Sequence, residues 1–81
     1  MSLRISDIVR TPEDLGRAVR LARKRQKLRQ DDLAAMAGLS HVFLGDLEKG
    51  KGSVSVGRML KVLEELGLRL RIEGLDDSER S

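Results

Sequence analysis

Residues 33–51 read LAAMAGLSHVFLGDLEKGK, and where this stretch is cut decides the fold. Apolar residues recur with helical spacing on both sides of Gly38, yet each flank is too short to be a stable helix alone. A glycine just past a helix end permits the left-handed backbone of a sharp turn, and Ser40, two residues on, is a good cap for a second helix. Two helices joined by so short a turn must cross steeply and share one core. Small Ala34 permits their close approach, while Leu39, Leu44 and Leu47 fill the angle between them. The spacing therefore predicts one helix from Gln30 to Ala37, with Leu33, Ala34 and Ala37 inward, and another from His41 to Lys49.

Working upstream, Thr11 can cap, Pro12 suits a first helical position, and Glu13 and Asp14 favour the positive end of the helix dipole. A helix from Pro12 to Gln26 follows, with Leu15, Ala18, Val19 and Ala22 on one face. Downstream of the linker GKGSVS, Ser55 caps a helix that runs to Leu66 with Val56, Met59, Leu60, Leu63 and Leu66 toward the core. Gly67 ends it. The segment LRLRIE then alternates, with Leu68, Leu70 and Ile72 on one face and Arg69, Arg71 and Glu73 on the other, which is the pattern of a strand. A strand needs a partner. The options are the N-terminal segment around Leu3 to Ile5 or Ile8 to Arg10, the same strand of a second subunit, or both.

The organisation expected is an N-terminal arm over 1–11, a helical domain over 12–66, a pairing strand over 67–74 and an acidic, disordered tail over 75–81. A chain of 81 residues has room for one small domain that buries about 60% of its unfolded surface, so a deep substrate pocket is not expected. Helix formers dominate, which favours an all-α domain. Cysteine is absent, so neither disulfides nor thiolate metal sites supplement the core. The start, MSLRISDIVR, is too short and polar for a signal peptide, and no apolar run approaches the roughly 20 residues that span a bilayer. A cytoplasmic protein with no membrane association is the simplest expectation.

The net charge is only +3, but its distribution is uneven. From Arg17 to Arg29 the chain carries Arg17, Arg20, Arg23, Lys24, Arg25, Lys27 and Arg29 with no acid among them, either a solvated helix face or a basic patch for a polyanion. His41 has no carboxylate, cysteine or second histidine at ligand or triad spacing. No nucleophile and base, phosphate-binding glycine loop or paired-carboxylate cleft is present, so neither an enzyme nor a cofactor is expected.

These residues resemble the helix-turn-helix of lambda-repressor-like, Xre-type regulators. Gln30 opens the second helix as the family's glutamine does, Leu33, Ala34 and Ala37 match its inward positions, and Gly38-Leu39-Ser40 matches its turn. Leu44 and Leu47 match the anchors of the recognition helix, and Glu48-Lys49-Gly50-Lys51 is similar to the family's "ERGK" ending. The resemblance covers roughly residues 12–66. It implies four main helices, with His41 to Lys49 entering the major groove of double-stranded DNA.

With Leu44 and Leu47 inward, helical rotation turns Val42, Gly45, Asp46 and Lys49 outward, with His41 flanking them. His41 suits guanine or phosphate, Val42 a thymine methyl, and Gly45 a close backbone approach. Asp46 either accepts from cytosine N4 or orients a neighbouring basic side chain. Phosphate contacts position such a module rather than specify sequence. Gln30 is the family's phosphate contact, and Arg29, Ser40, Lys49, Lys51 and Ser53 flank the recognition helix. Arg23 and Lys27 extend the set into the basic block. Phe43 is read either as a packing residue, under the fourth helix or at a subunit contact, or as a groove contact.

A helix-turn-helix followed directly by a short strand is similar to HipB-type antitoxins. That resemblance implies a homodimer joined through Leu68, Leu70 and Ile72, a palindromic operator, repression of its own operon and a HipA-like kinase toxin as partner. The alternatives are a stand-alone Xre-type repressor, or a protein-interaction module with weak nonspecific nucleic-acid binding. Without an aromatic platform for stacking bases, an RNA binder ranks last.

Overall fold

The computed structural model describes residues 8–74. Four helices follow one another as α1 (Pro12–Arg25), α2 (Gln30–Ala37), α3 (His41–Lys49) and α4 (Val56–Glu65). Each starts where the sequence supplies a cap. Thr11 Oγ1 accepts from the Asp14 N–H, and an Asp14 carboxylate oxygen accepts from the Thr11 N–H in return, a reciprocal capping box. Ser40 Oγ accepts from the Phe43 N–H at 3.1 Å, and Ser55 Oγ from the Arg58 N–H at 3.2 Å. At α2 the roles reverse, because Asp32 reaches back to accept from the Arg29 N–H at 2.9 Å.

The turn at the centre forms as its sequence demands. Gly38 takes φ 69 and ψ 33, and the Leu39 N–H donates to the Ala34 carbonyl at 2.8 Å, which closes the end of α2 before α3 begins. Lys27 makes the corresponding turn after α1 at φ 59 without being a glycine. An L side chain in that region costs roughly 1–2 kcal/mol.

The core is one cluster built from every helix: Val19 and Ala22 of α1, Leu33, Ala34 and Ala37 of α2, Leu44 and Leu47 of α3, Met59, Val62 and Leu63 of α4, with Leu66 after it. α3 packs against α1 and α2, and α2 against α4. The helix-turn-helix is thus wedged between α1 and α4. The close packing of α1 on α3 has a visible cause. A Cβ at Gly16 would lie 2.5 Å from the Glu48 carbonyl oxygen, so only glycine lets the two backbones meet there.

Two expectations need correction. Val56 and Leu60 do not face the core. They are exposed, whereas Met59, Leu63 and Leu66 are buried as expected and are joined by Val62. Val62 and the exposed pair all fit helical spacing, so periodicity alone did not choose between them; the seat offered by α2 did. The second concerns the segment after α4. Gly67 turns at φ 73 and the Leu68 N–H donates to the Leu63 carbonyl at 2.8 Å, so Leu68 closes α4 and packs half-buried on the chain's own core. Leu70 and Ile72 are exposed, Ile72 at 91%. No strand is formed among the described residues. The expected partner segment Leu3 to Ile5 and the tail 75–81 lie outside them.

Candidate nucleic-acid interface

α3 exposes His41, Val42 and Lys49 to solvent, with Gly45 and Asp46 half-buried between them. Val42 is 60% exposed, an apolar side chain that the fold leaves unused. Phe43 turns the other way. It packs on the core from a half-buried position and, with Leu39, Ser40 and Arg58, lines a shallow depression on the flank of the turn. This favours the packing reading.

Beneath the outer face lies an ion pair that joins four parts of the chain. Arg23 Nε donates to Glu48 Oε2 at 2.6 Å, its Nη2 to Glu48 Oε1 at 2.9 Å, and its Nη1 to the Leu28 carbonyl at 2.8 Å. The two side chains are only 9% and 5% exposed. Glu48 Oε1 also accepts from Gln30 Nε2 at 3.1 Å. The end of α1, the α1–α2 turn, the first residue of α2 and the end of α3 are thereby fixed to one another. Burial by itself pushes the Glu48 carboxyl up. The hydrogen bond from Arg23, assisted by Gln30 and by the nearby positive charges, outweighs it and holds the group below the usual carboxylate range. The same hydrogen bond raises Arg23.

Arg23 is therefore removed from the phosphate-contact set: a guanidinium spent on a buried carboxylate and a backbone carbonyl has no reach to a ligand. Glu48 is the residue that sequence reading passed over, although a signal existed. It stands one turn after buried Leu44, on the inward edge of α3, where a carboxylate requires a cation.

The other cations remain at the surface. Lys24, Lys27, Arg29 and Gln30 line an open depression at the start of α2. Arg29 stands 3.8 Å from Asp32, a loose and exposed pair worth little to stability. Lys51 Nζ is 3.7 Å from an Asp46 carboxylate oxygen, and the Lys51 N–H donates to the Asp46 carbonyl at 3.0 Å. Asp46 thus has a basic side chain beside it. Ser53 is exposed in the turn at 52–53, next to Gly52, which abuts Pro12 at the start of α1. Ser40 is exposed, with its oxygen engaged in capping α3. Arg17 pairs with Asp14, and Arg20 is exposed on α1, near enough to Glu48 for its charge to help hold that carboxyl down.

The helix-turn-helix family profile matches residues 19–72. An HTH-type transcriptional regulator of Sinorhizobium fredii, y4mF, is 47% identical over 64 residues, which span 79% of this chain and 84% of that protein. This chain belongs to the helix-turn-helix family of transcriptional regulators. The same fold is found in solved structures. A complex of HipB with an O4 20mer superimposes with a TM-score of 0.79 at 20% identity, over 88% of this chain and all of that one. A HipA–HipB–O2–O3 complex gives the same TM-score, identity and coverage. At that identity the likeness is one of fold. No helix among the described residues is long and apolar enough to cross a membrane.

Proposed function

We propose that this helix-turn-helix protein is a sequence-specific, DNA-binding repressor that acts as a homodimer on a palindromic operator near its own gene. The observation that carries the reading is the distribution of charge around α3. The acid nearest the core, Glu48, is buried and paired, Asp46 has a lysine beside it, and Lys49, Lys51, Lys27 and Arg29 stand exposed. A helix presenting an uncharged outward strip, His41, Val42 and Gly45, within a rim of cations suits base edges between two phosphate backbones. His41, Val42, Gly45 and Asp46 are assigned to the base edges. Arg29, Ser40, Lys27, Lys49, Lys51 and Ser53 are assigned to phosphates, and Gln30 to a phosphate through its backbone N–H at the start of α2.

Dimerisation is assigned to 69–74, with Leu70 and Ile72 pairing across the two-fold axis, because these alternating residues are exposed and the same segment of a second copy can supply the ladder that a strand needs. A HipA-like kinase is proposed as a further partner on the likeness to the HipA–HipB assembly. The second reading is a stand-alone repressor, with which the y4mF relative, an HTH-type transcriptional regulator, is equally consistent. Co-expression with an adjoining kinase-like product and co-purification at high salt separate the two.

Fluorescence anisotropy tests the main reading, with DNA from upstream of the protein's own reading frame and a scrambled duplex as probes, at low and physiological salt. Tight binding that survives physiological salt on the upstream DNA alone is expected. Equal, salt-labile binding to both overturns it, leaving a basic surface without sequence preference.

A further inference from the structure

Gly45 lies in the interior of α3, where glycine weakens a helix relative to alanine. Packing within the protein does not require it. A Cβ built at Gly45 meets a single neighbour, Gln30 Oε1, at 3.9 Å, an ordinary contact. Gly16 and Gly50 differ sharply, since a Cβ at either would run into backbone at 2.5 or 2.7 Å. The space left by the missing side chain opens beside Val42 and Lys49 on the outward face.

The wall of that space is the Gln30 carboxamide, and its orientation is set by chemistry. Glu48 is ionised against Arg23 and can only accept hydrogen bonds, so the Gln30 amino group must face it, as it does at 3.1 Å. The amide oxygen is consequently turned away from Glu48 and toward Gly45. An acceptor there is ill suited to a phosphate, which is itself an acceptor. It suits a donor, and the donors on the major-groove edges of bases are the exocyclic amines, adenine N6 and cytosine N4.

We propose that Gly45 and the Glu48-oriented oxygen of Gln30 form a notch that admits one base edge per half-site and reads its exocyclic amine. The proposal rests on the DNA-binding reading above. Guanine O6 or thymine O4 in the same place meets an acceptor and is rejected. Gln30 is then a specificity residue, and Glu48 the residue that positions it.

The test selects duplexes from a random 20-base-pair library with the wild-type protein, Gly45→Ala and Gln30→Met, and measures affinity for the selected duplexes and thermal melting. The wild type is expected to require adenine or cytosine at one position per half-site. Replacing that base by its analogue lacking the amine, purine for adenine or 2-pyrimidinone for cytosine, is expected to weaken wild-type binding roughly tenfold and to leave Gln30→Met unaffected; the effective analogue tells which amine is read. Gly45→Ala is expected to melt several degrees higher and yet to lose the preference at that position and roughly tenfold in affinity.

Unchanged selection by Gly45→Ala overturns the notch, as does a duplex carrying the amine-free analogue that is bound as tightly as its parent. A Gln30→Met variant that weakens all duplexes equally and lowers the salt slope by about one assigns Gln30 to phosphate and also overturns it. Failure of the wild type to enrich any sequence removes the DNA-binding reading itself, and the notch with it. A wild-type preference that both variants retain removes the notch alone.

Discussion

Glu48→Ala is expected to destabilise the fold by about 3–5 kcal/mol, the usual loss when one partner of a buried ion pair is removed. The magnitude follows from what Arg23 is left with. Its side chain is 9% exposed, and two of the three N–H donors it has engaged point at the Glu48 carboxylate. With that carboxylate gone, a full charge and two donors remain in a site water scarcely reaches, and Gln30 loses its acceptor as well. A domain of this length has about 4–12 kcal/mol of total stability, so the variant keeps at best about three quarters of it. At about 4–8 °C per kcal/mol the melting midpoint falls by at least about 12 °C. Urea titration followed by far-UV circular dichroism measures the loss, at matched protein concentration because dimerisation couples to folding. The double variant Arg23→Met with Glu48→Leu serves as the second arm. Replacing a buried pair by apolar groups is often neutral or stabilising, so it should recover most of the lost stability while disturbing Gln30. A loss below about 1 kcal/mol for Glu48→Ala, or a double variant no more stable than the single one, would refute the view that desolvated charge governs this site.

Four further outcomes are expected. Gly16→Ala should destabilise by about 1–3 kcal/mol despite alanine's better helix propensity, because its methyl group would meet the Glu48 carbonyl at 2.5 Å; an unchanged urea midpoint would show that α1 and α3 can move apart freely. On acidification, Glu48 contributes stability that is fully present above its unfolded pKa of about 4.3 and is lost as pH falls through its lower folded value. Asp14, lowered chiefly by the Arg10 N–H, has the same sign. Stability should therefore be flat from neutral pH to about pH 5 and decline below it, a decline that Glu48→Gln should blunt in melting curves. Lys49→Ala should weaken binding to all duplexes and lower the salt slope by about one, whereas Val42→Ala should change base preference at one or two positions; equal losses on every sequence from both would contradict that division. Leu70→Asp should yield a helical monomer in sedimentation with reduced operator affinity, and a variant that still sediments as a dimer would remove the pairing of 69–74.

The four helices and the turn between α2 and α3 were legible in the sequence because their causes are local. Thr11, Ser40 and Ser55 each cap a helix within three residues of themselves, and Gly38 supplies a backbone conformation that no distant contact is needed to explain. The inward positions of α2 and α3 followed from spacing alone, as did the exposure of His41, Val42 and Lys49, whereas Gly45 and Asp46 are half-buried. Tertiary structure decided what spacing left degenerate. On α4 spacing placed Met59, Leu63 and Leu66 inward, but only the seat on α2 selected Val62 over Val56 and Leu60. Leu68 reads as a strand residue by alternation, yet the turn at Gly67 makes it the closing residue of α4. Within a run of seven cations nothing local distinguishes Arg23. Its partner lies 25 residues away, and a charge that far along the chain is brought within hydrogen-bonding distance only when α1 packs on α3. The sequence by itself thus determined where helices begin, turn and end, since those depend on backbone groups a few residues apart. Which cation is buried, and which way the Gln30 amide faces, depend on the low-dielectric contact of three helices, and only the packed structure decided them.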